Sequence, residues 1–446
     1  MSYTRGGLKL TDPRKEYQDY LWAPFTQMGD LADEEPLVMT SGEGARVTDN
    51  LGRTFIDAHG ALWLANAGFG RQEIVDAATE QMEKLSYFPS FAGMSNEAAT
   101  RLARRLVKMT ENLGMGRVFF SSGGSEAVET ALKIAWQYWN VKDKPGKYKV
   151  IALRRAYHGV TMGALSANGL TDKRSKFEPL VPGFRHIEPP HCFSCPYDLN
   201  TETCSLQCAQ QLERTIEFEG ADSVAAFIAE PVLGAGGVIV PPDDYWPEIQ
   251  RICRENDILL ITDEVITGFG RTGKMFACEH WDVKPDIMTF AKGITSGYLP
   301  LGATMAREEL YQVCLGEHGE GREFRHGNTF AGHPAACAAA DANLDIIENE
   351  GLVDQSRTKG EYLLKRLQEL HELPAVADVN GKGLLARVEL EGPEGAGLRV
   401  NRQLLKRGII MRALGNVMTL SPPLVISSEE LDKVVNNLAE VIEELR

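Results

Sequence analysis

The residues able to do chemistry stand directly after short apolar runs. Lys292 follows DIMTF in DIMTFAKGITSGYLPLGA, where Gly293 and Gly297 supply turns. Apolar neighbours there would disfavour the charged ammonium and free the amine to join a carbonyl carbon. Asp263 follows ILLIT, so its carboxylate stands at the end of buried sequence and needs a cationic or hydrogen-bonding partner. A protonated pyridine nitrogen would serve, and the pairing would keep that ring an electron sink for a carbanion. Val265, two residues on, suits packing on one ring face. Tyr157 and His158, after KVIAL, suit an aromatic stack on the other face and a polar support beside it. Glu230 follows VAAFIA in the same way.

The segment FFSSGGSEAVETALK passes from a strand through small residues into a helix. Unpaired N–H groups at a helix start can hold a phosphate, and Gly123 and Gly124 let an anion approach the backbone. Ser122 and Ser125 add hydroxyl donors or a cap, although the lysine of a nucleotide-binding loop is absent. Taken singly, each residue has a plainer reading: a helix cap, a surface lysine, an N-cap aspartate, a core tyrosine, a turn histidine. Their joint placement argues for chemistry.

The elements that must position them are legible as an alternation of strand and helix. RVFF, KVIAL, VAAFIA, ILLIT and DIMTF, each followed by a helical pattern, predict an α/β fold with a mostly parallel sheet covered by helices. Ligands in such folds sit beyond the carboxyl ends of the strands, where all these residues fall. The last hundred or so residues read as a smaller α+β domain, and the first sixty as a short sheet element turning at Asn50 and Gly52. At 446 residues, with 43% hydrophobic and 24% charged, the whole chain is expected to fold around a large core. A formal charge of −15 opposes binding to nucleic acid or an anionic membrane and favours small-molecule substrates. The first residues lack a signal-type apolar stretch, and VAAFIAEPVLGAGGVIVPP is broken by Glu230 and Pro231, so a cytoplasmic protein is expected.

Four of the eight cysteines cluster in HCFSCPYDLNTETCSLQC, as Cys192, Cys195, Cys204 and Cys208. Three readings fit the spacing: a structural zinc held by four thiolates, four plain thiols, or a labile disulfide across one Cys-x-x-Cys.

Asp263 and Lys292, 29 residues apart, together with SGGSEAVETALK, AYHG, AEPV, TDEVITGFGRTG and HGNTFAGHP, resemble the class III aminotransferases, specifically their ω-amine:pyruvate branch. The similarity extends from WAPFT and ALWLANAGFGR to MRALGNVMTLSPPL. It implies a fold-type-I pyridoxal-phosphate (PLP) enzyme: residues 1–65 pack with the small domain, 66–333 form the cofactor domain and 334–446 the small domain. It further implies a homodimer or dimer of dimers with shared active sites. Lys292 would bind the cofactor as a Schiff base and then shuttle a proton. Asp263 would pair with the ring nitrogen, Tyr157 and Val265 sandwich the ring with His158 beside it, and Glu230 lie near the ring hydroxyl. Gly124 and Ser125 would hold the phosphate, reached also by Thr329 of the partner subunit. Trp63, with Phe88 and Phe91, would form the substrate wall, and Arg412 would receive a carboxylate. Gly123 and Val128 depart from the residues usual in the family, which touches only the detail of the phosphate contacts.

The implied reaction moves an amino group from an amine or ω-amino acid to a keto acid, expected to be pyruvate, by a ping-pong route. An aminomutase, a racemase or a decarboxylating aminotransferase would use the same cofactor residues. A non-catalytic protein with zinc-dependent contacts is the reading from another class.

Overall fold

The apolar runs become strands of one seven-stranded sheet. The computed structural model describes residues 12–29, 36–200 and 202–444. Across the sheet the order is Met115–Ser121, Gly302–Arg307, Ile287–Phe290, Leu259–Asp263, Val224–Ala229, Lys149–Leu153 and Phe184–Ile187. Gly302–Arg307 runs antiparallel to both neighbours, and the remaining pairs are parallel. Every residue of Val224–Ala229 and Leu259–Asp263 is buried, as near-continuous apolar runs covered on both faces require.

Two strands of this sheet escaped the sequence reading. Phe184–Ile187 is a four-residue edge strand of mixed polarity, and Gly302–Arg307 spells GATMAR, too poor in bulky residues to look like a strand. The second matters for the site. By returning beside Ile287–Phe290 it makes the intervening segment a tight reversal, and Lys292 stands in that reversal with a left-handed φ of 49°.

The helix Gly124–Val141 lays Ala127, Val128, Ala131, Leu132, Ala135 and Trp139 into the core. The Trp139 indole N–H donates to the Ala225 carbonyl at 2.9 Å, so the helix is fixed both by apolar burial and by a bond to a central strand. A buried leucine such as Leu132 contributes about 1.5–3 kcal/mol relative to exposure. At its start, a Cβ on Gly124 would lie 2.9 Å from Val265 Cγ1, so the absence of a side chain lets the helix N-terminus close on the loop after Leu259–Asp263.

Towards the C-terminus lies an antiparallel sheet in the order Val376–Gly381, Ala386–Leu390, Val417–Leu420, Arg412–Leu414. The turn between its last two strands uses Gly415 at φ 63°. A third sheet joins the chain ends: Met39–Glu43, Arg46–Asp49 and Thr54–Asp57 form a meander, and Ile409–Ile410 adds parallel to Thr54–Asp57. The helix Ser428–Glu443 begins with a capping box in which Ser427 Oγ accepts the Glu430 N–H at 3.2 Å. Among the described residues, no helix is long and apolar enough to cross a membrane.

Candidate active site

Eight of the residues singled out in the sequence line one pocket beyond the carboxyl ends of the parallel strands. They are Gly124, Ser125, Tyr157, His158, Glu230, Asp263, Val265 and Lys292, with Gly159 and Ile266 completing the lining. They come from the ends of five strands or the start of the helix that follows, the place where α/β sheets bind ligands.

Asp263 is 2% exposed and its carboxylate is held from three sides. Oδ1 accepts from Thr289 Oγ1 at 3.0 Å and from the Val265 N–H at 3.1 Å, while Oδ2 lies 2.7 Å from His158 Nδ1. Because a carboxylate can only accept here, His158 donates through Nδ1, and its Nε2 is left buried without a partner. Each carboxylate oxygen accepts two bonds, so Oδ2 keeps one position free for a donor in the pocket.

Glu230 anchors the backbone of its neighbours. Oε1 accepts the Tyr157 N–H at 2.9 Å and Oε2 the Gly234 N–H at 2.8 Å. Burial lifts its carboxyl to about 7, with the Asp263 charge pushing the same way and His158 opposing. Tyr157 is thereby fixed at the pocket wall, and desolvation raises its phenol above the ordinary range.

Lys292 sits in a turn that the structure over-determines. Asn343 Nδ2 donates to the carbonyls of Gly293 and Ile294 at 2.9 and 3.0 Å, and Ser296 Oγ donates to Asn343 Oδ1 at 2.6 Å. Desolvation lowers the Lys292 amine to about 8, against the opposing pull of Asp263 and Glu230. The sign for stability follows from linkage. Between about 8 and the ordinary lysine value of 10.5 the unfolded chain binds more protons at this site than the folded one. The cofactor-free protein should therefore gain stability as pH rises through that window, and Lys292→Met should remove this contribution. Urea unfolding at a series of pH values tests it, and an equal slope in both proteins would count against the desolvated amine.

At the start of the helix Gly124–Val141, the Ser125 hydroxyl accepts the Val160 N–H at 3.2 Å. Gly159 has φ 121°, and a Cβ there would lie 2.3 Å from Ser125 Oγ, so only glycine permits this approach. The Ser122 N–H is taken up by Glu126 Oε2 at 2.7 Å.

Trp63 and Arg412 join the site from distant sequence. The Arg412 guanidinium lies 5.0 Å from the Trp63 ring centroid, and Lys292 Nζ lies 5.6 Å from the same centroid. His59, which nothing in the sequence pattern marked, packs edge-on against Trp63 with centroids 4.4 Å apart. Burial, with the Arg412 and Lys292 cations, pushes its imidazole down to about 3, so it is neutral. Phe88, Phe91 and Thr329 are not brought to the pocket within one chain. Phe88 and Phe91 are exposed, Phe91 packs close to Gly327, and the Thr329 carbonyl accepts from Tyr87 Oη at 2.7 Å.

The cysteines require a correction. Cys192, Cys195, Cys204 and Cys208 line one pocket, yet among the described residues no three His, Cys, Asp or Glu side chains are arranged to hold a metal ion. Burial raises the Cys192 thiol and lifts Cys208 to about 12, opposing the thiolate that zinc needs, and Cys204 Sγ accepts the Leu206 N–H at 3.2 Å. All four are free cysteines, and the zinc expectation is not supported.

Fold and pocket together define a fold-type-I, PLP-dependent transaminase. The profile described as Aminotransferase class-III matches residues 29–442. The chain is 39% identical over 435 residues to the adenosylmethionine-8-amino-7-oxononanoate aminotransferase of Geobacter sulfurreducens, covering 95% of each. It is 38% identical over 428 residues to the putrescine–pyruvate aminotransferase of Pseudomonas aeruginosa, covering 94% of this chain and 93% of that one. An amine transaminase from an uncultivated Pseudomonas species, solved in a PLP-bound form, matches with a TM-score of 0.92 at 39% identity, over 95% of this chain and 98% of the other. The chain belongs to the class III aminotransferases, enzymes that move an amino group with the help of PLP.

Proposed function

We propose that this enzyme takes the amino group from an amine or ω-amino acid and delivers it to pyruvate by a ping-pong route, with Lys292 as the residue that holds the cofactor. The observation that carries the reading is the convergence of Lys292, Asp263 and the Gly124–Ser125 helix start in one pocket. PLP, when bound, supplies an aldehyde carbon and an electron-withdrawing pyridine ring. The residues present suit such a group. Gly124 and Ser125 offer backbone N–H donors at the start of an 18-residue helix, and Asp263 Oδ2 has one acceptor position left for a ring N–H. Val265 and Tyr157 would hold the ring between them, His158 orients Asp263 through its Nδ1–H bond, and Glu230 would serve the side of the ring hydroxyl. Lys292 would tether the cofactor through Nζ and would carry a proton at that atom, a task suited to an amine of lowered pKa.

Trp63 forms the substrate wall, and Arg412 receives the carboxylate of the keto acid. Among the described residues the Arg412 guanidinium has no ion-pair partner, and it rests against Trp63 instead, free to turn inward when a carboxylate arrives. Arg412→Ala should weaken the half-reaction with alanine or pyruvate by about a hundredfold, through loss of a bidentate, charge-assisted contact. Loading of the amino group by a carboxylate-free amine should change little. Single-turnover absorbance measurements on each half-reaction test this, and equal impairment of both, or of neither, removes Arg412 from the role.

The reading includes the division into 1–65, 66–333 and 334–446, and a homodimer or dimer of dimers. The exposed Tyr87, Phe88, Phe91 and Phe330 offer an apolar interface, with Phe88, Phe91 and Thr329 reaching the neighbouring subunit's site. Eight free thiols suit the reducing cytoplasm. A screen of diamines, ω-amino acids and aryl-alkyl amines against pyruvate, scored by alanine formed, tests the substrate assignment. The assignment falls if no amine yields alanine, or if only a dicarboxylic keto acid is accepted.

A further inference from the structure

The cysteine-bearing loop touches the C-terminal antiparallel sheet at a buried point. His191, immediately before Cys192, is 3% exposed, and its Nε2 lies 2.8 Å from Nη1 of Arg387, itself 1% exposed. An arginine only donates, so His191 Nε2 accepts, and Nδ1–H is left to donate to the Ser194 carbonyl at 3.2 Å. Both ring nitrogens are thus engaged in a single tautomer. Burial and the Arg387 charge hold the imidazole down to about 4, which keeps it neutral and able to accept. Arg387 also donates to Asp378 Oδ2 at 2.5 Å and lies 3.4 Å from Glu389 Oε2.

Arg387 occupies a particular row of the small-domain sheet. It is directly opposite Thr419 in the next strand, and Thr419 is directly opposite Arg412 in the strand beyond. Residues directly opposite one another across antiparallel strands project from the same face. Arg387, Thr419 and Arg412 therefore form one cross-strand row. The Thr419 hydroxyl ties the row together by donating to the Arg412 carbonyl at 3.1 Å. One end of the row is clamped to the 191–194 turn, and the other carries the guanidinium over Trp63.

We propose that His191 is a positioning residue for the keto-acid substrate: its bond to Arg387 holds the row that places Arg412, so the loop bearing the cysteine cluster serves as a brace for carboxylate recognition. The proposal rests on the reading of Arg412 given above. A longer or absent tie lets the edge strand Arg412–Leu414 shift, and a bidentate contact tolerates little misplacement. Lys292 and the strand ends of the large sheet lie outside this row.

The test uses cofactor-loaded enzyme and His191 variants, because removing Arg387 would strand Asp378 and Glu389 and endanger folding. His191→Phe keeps a ring but loses the acceptor, whereas His191→Gln offers an amide oxygen near the position of Nε2. Single-turnover saturation with pyruvate, and separately with a carboxylate-free amine, gives the apparent Kd of each half-reaction, with active sites counted by cofactor absorbance. His191→Phe should raise the pyruvate Kd about tenfold, the scale of one hydrogen bond to a charged group, while the amine Kd stays within about twofold. His191→Gln should restore most of the loss, and the effect should vanish in an Arg412→Ala background. Normal pyruvate saturation in His191→Phe, with Arg412→Ala impaired, overturns the brace alone. Equal impairment of both half-reactions also overturns it, as the mark of a merely structural role. If Arg412→Ala is itself silent toward pyruvate, the reading of Arg412 falls and the brace falls with it.

Discussion

Replacement of Lys292 by alanine should leave a folded protein whose turnover is lower by at least about 10⁴, because in the proposed function one residue both fastens the cofactor and moves the proton. The fold should survive for a specific reason. The turn is held by Asn343 and Ser296, not by the lysine side chain, and the substitution removes an amine that the folded state already penalises by desolvation. Thermal unfolding should therefore show no loss, while stopped-flow absorbance should show no conversion when an amine donor is the only addition. Added methylamine should restore a small, concentration-dependent rate, since it supplies the missing base without the missing tether. Ordinary turnover in this variant would remove Lys292 from the chemistry.

Asp263→Asn should lower kcat by about 10²–10³, the range seen when a preorganised electrostatic partner is taken from a buried site. The substitution is nearly isosteric, and an asparagine oxygen can still accept from His158 Nδ1, so the local geometry has a way to persist. What disappears is the negative charge that would keep a ring nitrogen protonated. Retention of the cofactor should weaken in parallel, measured as loss of absorbance on dialysis. Thr289→Val, which deletes only the 3.0 Å bond to Asp263 Oδ1, should produce a smaller effect in the same direction. A kinetically silent Asp263→Asn would place this carboxylate outside the site, and an effect of Thr289→Val exceeding it would show that orientation outweighs charge.

Much of this arrangement was legible before any fold was known, for a local reason. A strand buried on both faces must be apolar along its length, so Val224–Ala229 and Leu259–Asp263 announce themselves, and the polar residue that ends each run is conspicuous. The topology of parallel sheets then sends all these ends to one side. That is why Glu230, Asp263, Tyr157 and Lys292 could be assigned to one place. Gly302–Arg307 was not legible, because a strand hydrogen-bonded on both sides can be built of small residues, which leave no bulky run to read.

The residue types and the strand ends, then, were determined by the sequence itself, since burial and periodicity act over a few neighbours at a time. Only the tertiary structure decided the contacts between distant segments. Arg412 reaches Trp63 because Ile409–Ile410 pairs with Thr54–Asp57, joining the two ends of the chain. The turn of Lys292 is fixed by Asn343 from a later helix, and His158 faces Asp263 rather than standing apart as a separate support. The cysteines, whose spacing suits a metal, are free thiols, and among the described residues the packing brings no three of the side chains that bind metals into a ligand set. Each of these outcomes depends on which surfaces meet when the layers close. Residues far apart in the chain leave no periodic trace of the partner they will find, and so only the packed structure selects it.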